Sequence, residues 1–227
     1  AYYLERLDHN DWWYRNNPSN TIAVGSGCHG IAALALMPAY PEAAAATRRA
    51  VQNIQERYRA MADDGSCVEG NLYWDYGFTY QLMFGHALKR VTGDDRSLLT
   101  APNAMKTHRF VETQLGGDGR YFPFNDTQPW LTGLAVCADF GSRLDNPLLR
   151  WMADRTARAA ANETTPVFTR PQFYALAFRA RDRKPAPEAF PGLPTLSFLE
   201  ILHWGVLRSD GLFTPGIVMG VKGRDGA

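Results

Sequence analysis

Two tyrosines three residues apart, in the run Leu72-Tyr73-Trp74-Asp75-Tyr76-Gly77, have the type and spacing that proton transfer needs. A phenol titrates near 10, so it donates a proton in its ordinary state and accepts one where the phenolate is favoured. Positions three apart on a helix share a face, so both hydroxyls can serve one ligand. That arrangement suits the acid and base of an elimination reaction. It suits equally the aromatic start of a buried helix, in which Tyr73, Trp74 and Tyr76 are core. Glu69-Gly70 stands just ahead of the run, and Glu69 has three readings: it caps the helix, binds sugar hydroxyls, or orients a tyrosine.

A second constellation lies upstream, in "SNTIAVGSGCHGIAALAL", residues 19–36. Ser19 or Asn20 is a candidate N-cap for an apolar helix. Asn20 has an alternative use, donating its amide to a substrate carboxylate. Gly25-Ser26-Gly27 allows a ligand close to the backbone, at a helix start where anions are favoured. His29 is either a packed or capping residue or a catalyst. His9, His86, His108 and His203 show no ligand spacing with Asp or Glu, so no metal is expected in this segment. Cys28, Cys67 and Cys137 form no C-x-x-C pair and read as three small buried apolar residues, which leaves the compartment open. Trp12, Trp13, Trp74 and Trp130 are stacking surfaces for sugar rings or core residues.

Helices must position these groups. "IAALAL" opens an apolar helix closed by Pro38 and Pro41, and an Ala-rich helix covers 42–63. Phe78, Leu82, Phe84, Leu88 and Val91 mark a mostly buried helix from Tyr76, with Gly93 as its stop. Further helical stretches are expected at 97–114, 129–143, 147–161 and 171–181. The longest loop, "GGDGRYFPFNDTQP", falls at 116–129, and loops of that length in compact helical domains are often functional. Four prolines in 182–197 forbid continued helix and mark a linker. Beyond it "HWGVLRS" and "GIVMGVKG" have the composition of strands. The organisation is therefore mainly α: a helical domain over 1–181, the linker 182–197, and the first strands of a β-domain over 198–227. Helices first and strands afterwards favour segregated domains over a βαβ plan.

The 227 residues are 45% hydrophobic and 21% charged, ordinary globular composition that argues against disorder. A net charge of +1 argues neither for nor against a polyanionic partner, and no apolar run is long enough to span a bilayer.

Four stretches in order resemble the heparinase II/III-like polysaccharide lyases: "NTIAVGSGCHGIAALAL", "DDGSCVEGNLYWDYGFTYQLMFGHALKRVTGDD", "FPFNDT", and "WGVLRSD" with "IVMGVKG". Those lyases show Asp-Gly-x-x-x-Glu-Gly-x-x-Tyr-Trp-x-Tyr-Gly, matched here from Asp64 to Gly77 almost throughout. Their earlier motif, Asn-Trp-Asn-x-Val-Cys-Asn-Gly-Gly, is degraded: Thr21 stands where Trp is usual, and Ser26-Gly27-Cys28 replaces Asn-Gly-Gly.

The resemblance implies an incomplete (α/α) toroid, N-terminally incomplete here, followed by antiparallel β-sheets. It implies β-elimination at a uronic acid, with C5 losing a proton and the glycosidic oxygen at C4 gaining one. By position, Asn20 matches the carboxylate-contacting Asn, Tyr76 best matches the catalytic tyrosine, and Tyr73 is the second choice. His29 has no counterpart in the motif and stands as the fourth catalytic candidate. Glu69, Trp74, Trp13 and Asn125 are the substrate-binding candidates. The implied partner is an acidic polysaccharide or oligosaccharide, with no nucleic acid and no membrane insertion. The family continues past "IVMGVKG" into a His-x-His-Asn-Asp-like segment, so a piece of a lyase is expected, one that need not be active alone. No cofactor is expected in this segment; a structural zinc belongs to the sheets further on. A bacterial-type periplasmic or secreted location follows, or a cytoplasmic one for an oligosaccharide-degrading form. A uronate C5-epimerase and a non-catalytic glycan-binding toroid are the alternatives. Which glycan, endo or exo action, and oligomeric state stay open.

Overall fold

The computed structural model describes residues 19–116, 120–127, 133–161, 184–209 and 217–223. The expectations for Trp12, Trp13, Trp130, His9 and a helix at 171–181 lie outside them. The chain is mainly helical with a small three-stranded antiparallel sheet. Among the described residues the order is α1 (Asn20–Leu36), α2 (Ala43–Ala60), α3 (Asn71–Thr92), α4 (Pro102–Lys106), α5 (His108–Gln114), α6 (Leu134–Arg143), α7 (Pro147–Ala161), β1 (Leu196–Leu199), β2 (Trp204–Arg208) and β3 (Val218–Lys222). Two compact units form, Ala1–Met61 with Tyr76–Ala104, and Ala62–Asp75 with Met105–Ala227.

In the first unit α1 begins well before the "IAALAL" run. Ser19 is its N-cap, extended at φ −69 and ψ 171, and its hydroxyl accepts the Thr21 N–H at 3.3 Å. Three glycines hide the helical periodicity, and for Gly27 and Gly30 the cost in a helix is offset by close packing. A Cβ on Gly27 would stand 2.6 Å from the Tyr80 carbonyl oxygen, and one on Gly30 would stand 2.4 Å from the Phe84 ring. Further back, a Cβ on Gly77 would lie 3.2 Å from the Ala23 Cβ and 3.4 Å from Asn20. Residue numbers rise together along both partners, so α1 and α3 run parallel with their backbones nearly touching. We expect Gly27→Ala to destabilise by about 1–3 kcal/mol, since a main-chain carbonyl cannot swing aside. An unchanged urea midpoint would contradict that packing.

Arg57 of α2 fastens this unit. Its buried guanidinium donates to the Ser19 carbonyl at 3.3 Å and to Gln81 Oε1 at 3.1 Å, and lies 5.1 Å over the Phe78 ring. One cation thus ties the start of α1 to α3. Tyr58, one residue on, donates its hydroxyl to the Leu98 carbonyl at 2.9 Å.

The expected 97–114 helix begins only at Pro102 and is broken, in the second unit, at Thr107. The Thr107 hydroxyl donates to the Gly65 carbonyl at 2.9 Å and accepts the Trp74 indole N–H at 2.7 Å. α6 and α7 pack together, and α7 begins at Pro147 with the Asn146 side chain accepting the Leu149 N–H at 3.1 Å.

The sheet has order β1-β2-β3, with Leu196 opposite Leu207 and Leu207 opposite Met219. β1 starts at Leu196, inside the stretch expected to be linker. Nor is the rest of that stretch detached: Phe190 packs edge-on against Trp151 at 4.9 Å. Leu199, Trp204, Val206 and Arg208 face inward and are buried, and α5 packs on this side through Phe110, 6.1 Å from Trp204. The other face exposes Leu196, Phe198, Leu207, Met219 and Val221. No described helix is long and apolar enough to cross a membrane.

Candidate functional site

The run from Asp64 to Gly77 resolves into structural and chemical parts. Asp64 accepts the N–H groups of Ser66 at 2.9 Å and Ile201 at 3.2 Å. Gly65 has φ +81, and a Cβ there would sit 2.5 Å from the Lys106 backbone. Gly70 has φ +90, and a Cβ there would sit 2.7 Å from the Asp126 backbone. Both glycines are required by conformation and by space. The first amides of α3 are satisfied by the Thr127 hydroxyl, 3.2 Å from the Asn71 nitrogen, and by the Asp126 carbonyl, 3.4 Å from that of Leu72. Thr127 and Asp126 thus cap the helix, and Glu69 is half-buried just outside it.

The aromatic run divides by burial. Trp74 is fully buried and hydrogen-bonded to Thr107, so its indole is core and offers no face to a sugar. Asp75 is buried as well, whereas Tyr73 and Tyr76 are half-buried. The Tyr76 ring meets Tyr80 edge-on at 5.3 Å and 87°. That contact fixes the ring on the side of α3 that carries Tyr80, the residue seated on Gly27.

Asn20 is half-buried in the first turn of α1. Ser19, not Asn20, is the N-cap. Gly77, directly after Tyr76, lies against Asn20. The α1–α3 packing therefore brings the Asn20 and Tyr76 segments together. It does not bring in His29. Nine residues separate His29 from Asn20, which places it roughly 13 Å along the axis and on the opposite face of α1. Burial lowers the His29 pKa, so its imidazole is neutral at neutral pH. We expect an NMR titration of His29 to have its midpoint below 6.5. The unfolded state then binds the proton more readily, so His29 lowers stability as pH falls through 6.5. A midpoint above that value would contradict the burial.

The Gly25-Ser26-Gly27 reading is also corrected. Those residues lie inside α1, not at its start, and the backbone that approaches Gly27 belongs to α3 rather than to a ligand. Ser26 is buried, its hydroxyl accepting the Asn53 amide at 3.3 Å. Cys28 is exposed, while Cys67 and Cys137 are buried as expected.

Asn125, in the second unit, adopts the left-handed region at φ 48 and spends both ends of its amide. Its nitrogen donates to the Val68 carbonyl at 2.6 Å, and its oxygen accepts from Lys222 Nζ at 2.7 Å. The expected sugar contact becomes a joint between the 66–70 loop and β3. Tyr121 is buried nearby in sequence, its hydroxyl without a partner among the described residues. Burial, then the neighbouring Cys137, Asp75 and Glu112, push its pKa well above the usual range. Cys137 is pushed up by burial and by the two carboxylates, so it is an unreactive thiol.

Sequence reasoning missed Arg57, Arg208 and Lys222, because their partners lie far along the chain. A buried-position arginine in an otherwise apolar strand, as in "WGVLR", is the one signal that points to Arg208. Among the described residues, no group of three or more His, Cys, Asp or Glu side chains could hold a metal ion. No protein-family model and no curated protein matches the chain.

Proposed function

We propose that this chain belongs to a polysaccharide lyase of the heparinase II/III-like kind, acting on a glycan that contains uronic acid. The observation that carries the reading is the contact of Asn20 with Gly77. The Asn20 Cα and Cβ lie 3.4 Å from where a side chain on Gly77 would begin, and Gly77 directly follows the half-buried Tyr76. Two parallel helices, α1 and α3, joined through α2, also suit the alternating layers of an (α/α) toroid.

In this mechanism the Asn20 amide donates to the uronate carboxylate, stabilising the charge that grows there as C5 loses its proton. The electron pair of the broken C–H bond forms the C4–C5 double bond. The C4–O bond breaks, and the leaving oxygen takes a proton from an acid. Tyr76 is the proton-transfer group, its ring packed edge-on against Tyr80. Tyr73, one turn earlier on α3, is the reserve candidate. His29 lies on the face of α1 opposite Asn20, which leaves Tyr76 as the first candidate for proton transfer at this sugar. Glu69 remains the candidate for sugar hydroxyls. No cofactor enters these steps.

Incubating the complete protein with uronic-acid polymers in deuterated water, followed by mass spectrometry, tests this. A lyase gives fragments lighter by one water than hydrolysis products. Deuterium at C5 without cleavage identifies an epimerase, and binding with neither change identifies a glycan-binding module.

A further inference from the structure

The loop Phe122–Asn125 is fastened to the sheet at three successive points. Phe122 lies against the backbone of Gly220 in β3, where an added Cβ would meet its ring at 2.1 Å. Phe124 stacks on Trp204 of β2, centroids 4.9 Å apart at 27°. Asn125 accepts from Lys222 of β3 at 2.7 Å. Gly220 and Lys222 project from the same side of the strand, since side chains alternate. The result is a rigid seat for one cation.

That cation is held without being neutralised. Lys222 Nζ lies 5.6 Å over the Trp204 ring and against a neutral amide oxygen, and neither partner carries a charge that would neutralise it. Among the described residues no carboxylate lies within ion-pair distance of it, although Glu69 and Asp126 sit on the adjoining loops. The ammonium has three N–H donors, one of which goes to Asn125, and the side chain is exposed. The Asn125 amide is itself fixed by its bond to the Val68 carbonyl, in a left-handed conformation that Asn tolerates.

We propose that Lys222, positioned by Asn125 over the face of Trp204, is the cation of a carboxylate-binding subsite for an acidic glycan. This rests on the lyase reading for its ligand class. An ammonium is a compact point charge, so the subsite recognises the anionic substituent rather than the ring hydroxyls.

The test is calorimetric binding at low salt. Its probes are an unsulfated oligouronate, the same oligomer with its carboxyl groups reduced, and a sulfated glycosaminoglycan oligomer of equal length. We expect Lys222→Met to weaken oligouronate binding roughly fivefold, the upper range for an exposed ion pair, with a flatter salt dependence and an unchanged melting temperature. Lys222→Arg should recover part of the loss. Asn125→Ala should weaken binding in the parent but add nothing in the Lys222→Met background, because its effect passes through the ammonium. Equal loss for the carboxyl-reduced oligomer would overturn the proposal, as would loss confined to the sulfated one. If the parent binds and cleaves oligouronate and Lys222→Met binds it equally well, the subsite is wrong while the lyase reading stands. If the parent binds no acidic oligomer, both fall.

Discussion

Tyr76→Phe should lower turnover of the complete protein on its acidic glycan by roughly 100- to 10,000-fold, the usual contribution of a positioned acid–base group. The substitution removes one hydroxyl and keeps the ring, so the edge-on contact with Tyr80 survives. KM should change little, because the phenol works in the transition state rather than in ground-state binding. If Tyr76 is only packing, the order reverses: melting temperature falls and the rate per folded molecule holds. Parental turnover in a folded Tyr76→Phe protein transfers the role to Tyr73 or abolishes it.

The largest stability loss is expected from Arg208→Met. This guanidinium is buried, and burial brings its pKa down to about 10, so it stays charged at neutral pH. It donates to the carbonyls of Leu115 and Thr113, each at 2.7 Å, of Pro194 at 2.9 Å and of Glu112 at 3.3 Å, and to Ser197 Oγ at 2.8 Å. Three of those carbonyls belong to the C-terminal end of α5, where the helix dipole favours a cation. Methionine fills similar volume but leaves that group of acceptors dry and unsatisfied, at a cost of about 3–5 kcal/mol. Lysine keeps the charge without the fork and should recover only part. Urea unfolding measures this, and a loss below about 1 kcal/mol would show that water replaces the guanidinium.

The segregation of helices from strands was legible because period and composition change together near residue 182. The α3 helix and the 147–161 helix were legible from their apolar period, which in α3 persists across Gly77 and Gly85. α1 was only half legible: Gly25-Ser26-Gly27 read as a ligand approach at a helix start until Tyr80 and Phe84 are seen to occupy the space beside Gly27 and Gly30. Asp64, Gly65 and Gly70 were visible as a motif, but their use in turns and close backbone approaches was not. Trp74 could be given either role from sequence, and only its burial against Thr107 decides it. Asn125 drew notice as a polar loop residue, yet its partners, Val68 and Lys222, are too distant in sequence for any local pattern to announce them. Arg57 and Arg208 escaped for the same reason.

The central claim is elimination at a uronate, with Asn20 and Tyr76 at one sugar. Ultraviolet absorbance of unsaturated uronate, followed continuously as the complete protein meets a panel of unsulfated and sulfated uronic-acid polymers, tests it most directly. A steady rise on at least one polymer is expected, abolished by Tyr76→Phe and reduced by Asn20→Ala at unchanged melting temperature. Saturable binding of that polymer with no rise in absorbance would contradict it.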